Sequence, residues 1–259
     1  MAKRNSNEAQ TLLEHLLELR NYVFLIVGAL IVGAGVTHYF HRQIIAAVFS
    51  PLGNQHLIFL SPLDPLLFIF KIDFYGGILL ALPFFLFAIF RFVSPALGPR
   101  ASRYVAIFCL FSTLLALTAT IYTYLLLIPI TTKFLLSIQV PGVQNFFTAD
   151  KYLGFVFMEM ALMVGIFQIP CVIILLAAAK ILNPSILSKN RPLAYVIMII
   201  VLSILTPTTD LYSLSLFLVP TLIIYELSVG LGKAVYYLRT KDKEKVEKIY
   251  SYDGQTTDP

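Results

Sequence analysis

Four polar side chains fall within seven residues of the stretch TLLEHLLELR (Thr11 to Arg20): Glu14, His15, Glu18 and Arg20. The chain is otherwise sparing with charge, at 13% Asp, Glu, Lys and Arg. Wound as a helix, the stretch puts Leu12, Leu13, Leu16, Leu17 and Leu19 on one broad face. Glu14 and Glu18 stand four apart on the opposite face, with His15 beside them. Like charges at that spacing cost a helix a few tenths of a kcal/mol. Two carboxylates held together suit a cationic partner, above all guanidinium groups, which pair with carboxylates bidentately. A plain solvated face with an anchoring arginine is the alternative reading.

Other candidates lie inside apolar runs. Glu159 and Gln168 share one run but, nine residues apart, face opposite ways on a helix. A carboxylate at membrane depth is costly unless protonated, paired or wet, so Glu159 is either such a group or one close to the outer interface and reached by water. Glu226, near the end of the last apolar run, reads as an interface group or as the partner of a basic residue. Asp210 follows TPTT and reads as a turn or cap residue. His38 and His41 are three apart, but no further ligand cluster accompanies them. Cys109 and Cys171 sit in apolar runs and read as small buried hydrophobes. There is no GxxxxGK[ST] phosphate loop and no nucleophile–base pair or metal cluster, so we expect no enzyme, no metal and no cofactor. The net charge of +5 fits membrane loops better than nucleic acid.

The elements that carry these residues follow from composition. Hydrophobic residues make up 58% of the chain and mean hydropathy is +0.83, too apolar for a soluble domain of this length. A hydrocarbon core of about 30 Å takes roughly 20 apolar residues per helix. Six runs qualify as spans, at about 22–40, 72–92, 104–130, 152–180, 193–205 and 212–231. The expected fold is an all-α polytopic membrane protein with six transmembrane helices, of which the fifth and sixth are short. Residues 1–21 form a cytosolic segment with an amphipathic helix, 22–232 the transmembrane domain, and 233–259 a charged tail expected to be disordered. Fifteen Lys and Arg fall on the side of the termini, against Arg42, Lys71, Lys133 and Lys151 on the other, so both ends are cytoplasmic.

The fifth run lies between Pro192 and Pro207 and reaches about 21 Å, short of the hydrocarbon core. With the sixth it makes a tight hairpin that dents or thins the bilayer; the alternative is a helix extended through Pro192 as its first residue, which adds little. The apolar half of the loop after the first span (LSPLDPLLFIF) is expected on the membrane surface or re-entrant. Pro83, Pro129, Pro170 and Pro220 are expected to kink spans.

The order of several motifs resembles the TatC family, the receptor subunits of the twin-arginine protein translocase. The motifs are HLLELR before the first span, SPL (Ser50–Leu52) outside, LPFFLFAIFRFVSPAL (Leu82–Leu97), FQIP (Phe167–Pro170), KNRP (Lys189–Pro192), LTPTTD (Leu205–Asp210) and VPTLIIYEL (Val219–Leu227). The resemblance runs from about Thr11 to Lys233. It implies binding of twin-arginine signal peptides of folded precursors, recruitment of TatA- and TatB-type single-span partners, self-association in a larger complex, and export driven by the proton-motive force across a cytoplasmic or organellar membrane. It implies a signal-peptide surface at Glu18 and Arg20, joined by Glu14 and by Arg100 and Arg103 of the loop GPRASR. The family's second acidic position falls on Ala101, where glutamate can stand; Glu14 is the candidate replacement. The acid often found in the fourth span falls on Gln168, which hydrogen-bonds but does not titrate. Gln168, Glu159 and Glu226 are the expected intramembrane partner contacts, and Pro51, Pro95, Pro170, Pro207 and Asp210 the structural positions. In the implied mechanism the spans form a concave wall whose dent exposes Gln168. A secondary transporter with a midplane site would show paired internal repeats, and residues 20–130 and 150–230 show none.

Overall fold

The computed structural model describes residues 2–53, 55, 57–93, 105–138, 146–206 and 211–253. Among them, five helices are long and apolar enough to cross a membrane: Arg20–Tyr39, Asp64–Phe92, Ala106–Ser137, Ala149–Ala178 and Leu211–Leu238. A sixth apolar helix, Arg191–Leu205, is shorter. The chain is an all-α multi-pass membrane protein, as composition requires, and it divides into two compact units, Met1–Ala161 and Leu162–Pro259.

In the first unit, α1 (Ala2–Tyr39) runs without a break from the polar N-terminal stretch through the first span. It packs along α3 (Asp64–Val93) at a stripe of small residues. A Cβ built on Gly33 would stand 2.9 Å from the Gly77 carbonyl, and one on Gly77 would stand 3.0 Å from the Ala34 nitrogen. Apolar surface gives helices no reason to associate in lipid, so close backbone approach supplies the attraction through dispersion. Beside this crossing Thr37 is fully buried and donates to the Gly33 carbonyl at 2.9 Å.

Between α1 and α3 lie α2 (His41–Phe49), a 3-10 turn (Ser50–Leu52) and β1 (Leu57–Ile58). Ile44, Ile45, Val48 and Phe49 of α2 pack onto Phe68, Ile72, Ala149 and Leu153. Thus α2 is the amphipathic piece of this loop. The apolar stretch expected on the surface is instead the start of the second span, which begins at Asp64 and not at Ile72. Lys71 suggested the later start, but it is paired with Asp150, which removes its cost. The Asp64 carboxylate accepts from the Leu60 and Ser61 amides at 2.9 and 3.0 Å and sets the turn that begins α3.

The third span is α4 (Val105–Tyr122), a π turn (Thr123–Leu127) and α5 (Ile128–Ser137). Next, β2 (Phe147–Thr148) pairs in parallel with β1, Leu57 opposite Phe147 and Ile58 opposite Thr148. The fourth span is α6 (Ala149–Phe167) and α7 (Ile169–Ala178), separated at Gln168.

The second unit contains α7, α8 (Pro184–Lys189), α9 (Arg191–Leu205) and α10 (Leu211–Asp253). The fifth span starts at Arg191 with Pro192 in its first turn, the extended alternative, and at 15 residues reaches about 22 Å. The sixth is not short: its apolar part is 28 residues, Leu211–Leu238. Lys233 marked its expected end, yet a lysine near a helix end lets its stem lie in lipid while its head reaches the interface. Nor is residue 233 onward unstructured as composition suggests, because α10 is helical to Asp253. KDKEKVEK is rich in good helix formers and elongates an existing helix without a nucleation cost.

The α1–α3 crossing gives the first testable outcome. Gly77→Leu should lower the thermal midpoint of the detergent-solubilised protein by several degrees, roughly the 1–3 kcal/mol of an overpacked contact. Gly35→Leu, where a Cβ meets nothing within 4 Å, should leave it nearly unchanged. Equal effects would refute the close-packing account.

Candidate functional site

The N-terminal acidic stretch and the first span are one helix. The backbone at positions 14 and 18 belongs to α1, within two turns of Arg20, where the apolar span starts and whose side chain is exposed. The side chains of Glu14 and Glu18 lie outside the description, as do residues Pro95, Arg100, Ala101, Arg103, Pro207 and Asp210.

Pro51 opens the 3-10 turn of the SPL motif and delivers Leu52 into a buried cluster with Ile128, Tyr152 and Val156. Pro170 follows the break in the fourth span. Gln168 is the residue at the break, with φ −85° and ψ −8°, and it is half-buried. Its amide donates to the Gly165 carbonyl at 3.1 Å, and its own carbonyl accepts from Val172 at 3.1 Å.

Glu159 does not lie on the exposed face of its helix. Glu159 is 1% exposed, and its Oε2 accepts from Thr131 Oγ1 on α5 at 3.2 Å. Gln168 and Glu159 are not brought together.

Glu226 is the partner of a basic residue. Its Oε2 accepts from Arg191 Nη2 at 2.7 Å, and Oε1 accepts from the Tyr195 hydroxyl. Arg191 is the arginine of KNRP, and Tyr195 lies one turn further along α9. Tyr225, next to Glu226, donates to the Leu187 carbonyl of α8 at 3.0 Å. The sequence reading missed this link, although Arg191 and Tyr195 share one helix face at i,i+4 and only one acid, Glu226, lies in the final span. It also missed two pairs in the first unit, Lys71–Asp150 and His38–Asp73, the latter at 2.7 Å. The signal for all three was an acid and a base at matching ends of different spans.

The description "Sec-independent protein translocase protein (TatC)" is that of the family model matching residues 14–220. The chain belongs to the TatC family. It is 30% identical over 244 residues to the TatC of Aquifex aeolicus (strain VF5), covering 92% of this chain and 99% of that one. It is 31% identical over 220 residues to the TatC of a Synechocystis strain, covering 85% and 87%. Two crystal structures, both of the "Twin Arginine Translocase Receptor- TatC", superpose with TM-scores of 0.72 and 0.69 at 29% identity, over 85% of this chain and 99% of theirs. The family match ends at residue 220, so Arg191 lies within it and its partner Glu226 just past its end. In this family member the link ties the short fifth helix to the sixth.

That tie can be tested by charge reversal. Arg191→Glu and Glu226→Arg should each lower thermal stability, and the double variant should recover most of the loss. The coupling of so exposed a pair is about 1 kcal/mol or less. A double variant no better than the sum of the singles would show that the pair contributes nothing.

Proposed function

We propose that this protein is the receptor subunit of a twin-arginine translocase in a cytoplasmic membrane. It binds the paired arginines of signal peptides on folded precursors and recruits TatA- and TatB-type single-span proteins, with the proton-motive force and no nucleotide as the drive. Membership of the TatC family supports the reading, as does the likeness to solved receptors of the same family. The observation that carries it is the unbroken α1. A rigid helix entering the membrane at Arg20 keeps positions 14 and 18 at the cytosolic surface, where a signal peptide would approach.

The proposed docking group is Glu18, with Arg20, Arg100 and Arg103 as further signal-peptide residues. Ala101 removes the second acid that the family can place in that loop, so Glu14 is the proposed second carboxylate. One carboxylate accepts one guanidinium fork, and two adjacent arginines need two such acceptors or one shared. Gln168 is the proposed polar contact for partner helices within the membrane, and Glu226 serves it through its link to α9; Glu159, expected as such a contact, is buried against α5 and is not proposed as one.

Photo-crosslinking to a twin-arginine precursor tests the docking site. Glu18→Lys and Glu18→Ala should each reduce crosslinking about tenfold or more, the loss expected when charge-assisted hydrogen bonds worth about 1.5–3 kcal/mol are removed. Glu14→Gln should give a smaller, severalfold loss. Undiminished crosslinking in both Glu18 variants defeats the docking claim.

A further inference from the structure

The first unit contains a buried polar cluster that signal-peptide docking does not use. Glu159, Thr132 and Tyr152 are 1%, 3% and 6% exposed. Glu159 Oε1, Thr132 Oγ1 and Tyr152 Oη have no hydrogen-bond partner among the described residues. Tyr152 and Glu159 are seven apart on α6, two turns along one face. Thr131 and Thr132 are on α5, and Thr131 reaches Glu159. The electrostatics of Tyr152 couple it to the Thr132 hydroxyl, Glu159 and Tyr124.

The one contact Glu159 makes is weak. Thr131 has a single hydroxyl proton, and the Leu127 carbonyl at 2.9 Å competes for it with Glu159 at 3.2 Å. Native proteins leave few buried polar atoms unpaired, since each costs about 1–3 kcal/mol. Three unpaired oxygens on two facing helices are therefore a polar site for a small hydrogen-bonding ligand, not three separate defects.

A second pair of hydroxyls lies toward the surface. Tyr124 Oη donates to the Ala47 carbonyl at 3.1 Å and lies 3.3 Å from Ser50 Oγ. Ser50 is exposed, in the SPL turn on the side away from the termini.

We propose that the space between α5 and α6 is an internal water site, in which water bridges Glu159, Thr132 and Tyr152 and exchanges with the outer solution past Tyr124 and Ser50. Water fits the chemistry. It donates to the carboxyl oxygen and accepts from or donates to either hydroxyl, making the two to four hydrogen bonds that a buried water needs. The site gives Glu159 access to the outer solution from inside the fold.

Thiol accessibility of the full-length protein in proteoliposomes tests this. Cys109 and Cys171 are first replaced by alanine. Thr132→Cys, close in size to the native residue, and Glu159→Cys are treated with a small, water-soluble methanethiosulfonate reagent. Met163→Cys is the control, since Met163 is equally buried one turn further along the same helix. Thiolates react only where water reaches them, so Thr132→Cys should react at least roughly tenfold faster than Met163→Cys. Glu159→Cys should do the same where it folds, and Thr132→Cys alone decides where it does not. A rate at position 132 no higher than at position 163 overturns the proposal, whether both are slow or both are fast.

Discussion

In hydrocarbon a peptide group without a partner costs several kcal/mol, and no water is at hand to supply one. That constraint explains how this chain treats its prolines. Pro129 has no N–H to give, and its ring crowds the carbonyl four residues back, on Leu125. The helix meets this with a π turn over Thr123–Leu127, directly before α5. Around it, Thr123 donates to the Ala119 carbonyl at 2.8 Å and Thr131 to the Leu127 carbonyl at 2.9 Å. At Pro170 the answer is different. The helix stops for one residue, Gln168, whose amide takes a 3-10 bond to Gly165. Pro220 stays inside α10, and Thr221 donates to the Phe217 carbonyl at 2.6 Å. Each of these hydroxyls bonds the carbonyl four residues before it in its own helix.

The same constraint governs the charges. Lys71, Asp73, Asp150, Arg191 and Glu226 all lie in or at the ends of spans, and each meets a partner from a different element. The partnerships Lys71–Asp150 and His38–Asp73 tie α3 to α6 and to α1 near the side away from the termini. The parallel pair of β1 and β2 joins the two loops on that side as well. Glu159 departs from the pattern. Among the described residues it faces a hydroxyl and no cation, so the surrounding helices leave its chemistry open.

Most of the fold was legible because apolar length and basic asymmetry are direct consequences of the bilayer. The all-α multi-pass fold, the break before Pro170 and the shortness of α9 follow from residues read in order. Three boundaries did not. Lys71 read as the outer limit of the second span because a lone lysine repels lipid, and its partner Asp150 lies 79 residues away. Lys233 read as the end of the sixth span for the same reason. The charged segment after it read as disordered because composition records charge and not the helix already running into it. At the candidate site, the positions of Glu14 and Glu18 on a helix entering the membrane were legible from periodicity. The burial of Glu159 was not, since the helix that covers it, α5, follows a π turn that shifts the register of its side chains.

The hairpin of the last two helices shows how a long-range pair changes the reading of a local length. A 15-residue helix reaches about 22 Å, and a free one would leave a gap in a core of about 30 Å. Where that gap falls depends on what holds the helix ends. Glu226 lies about 22 Å along α10 from Leu211, the same length as α9 itself. The Arg191–Glu226 pair therefore sets α9 and the first part of α10 side by side in register, end to end. The apolar part of α10 continues about 18 Å beyond Glu226, to Leu238, with no α9 alongside. There α8 takes over. Its Leu187 carbonyl accepts from Tyr225, and Pro184 lies against Gly232, where a Cβ would stand 3.2 Å from the proline ring. From Tyr195 back to Pro184 the contacts on α10 run from Glu226 and Tyr225 to Gly232. The shortfall of α9 thus falls at its Arg191 end, and α8 folds across it.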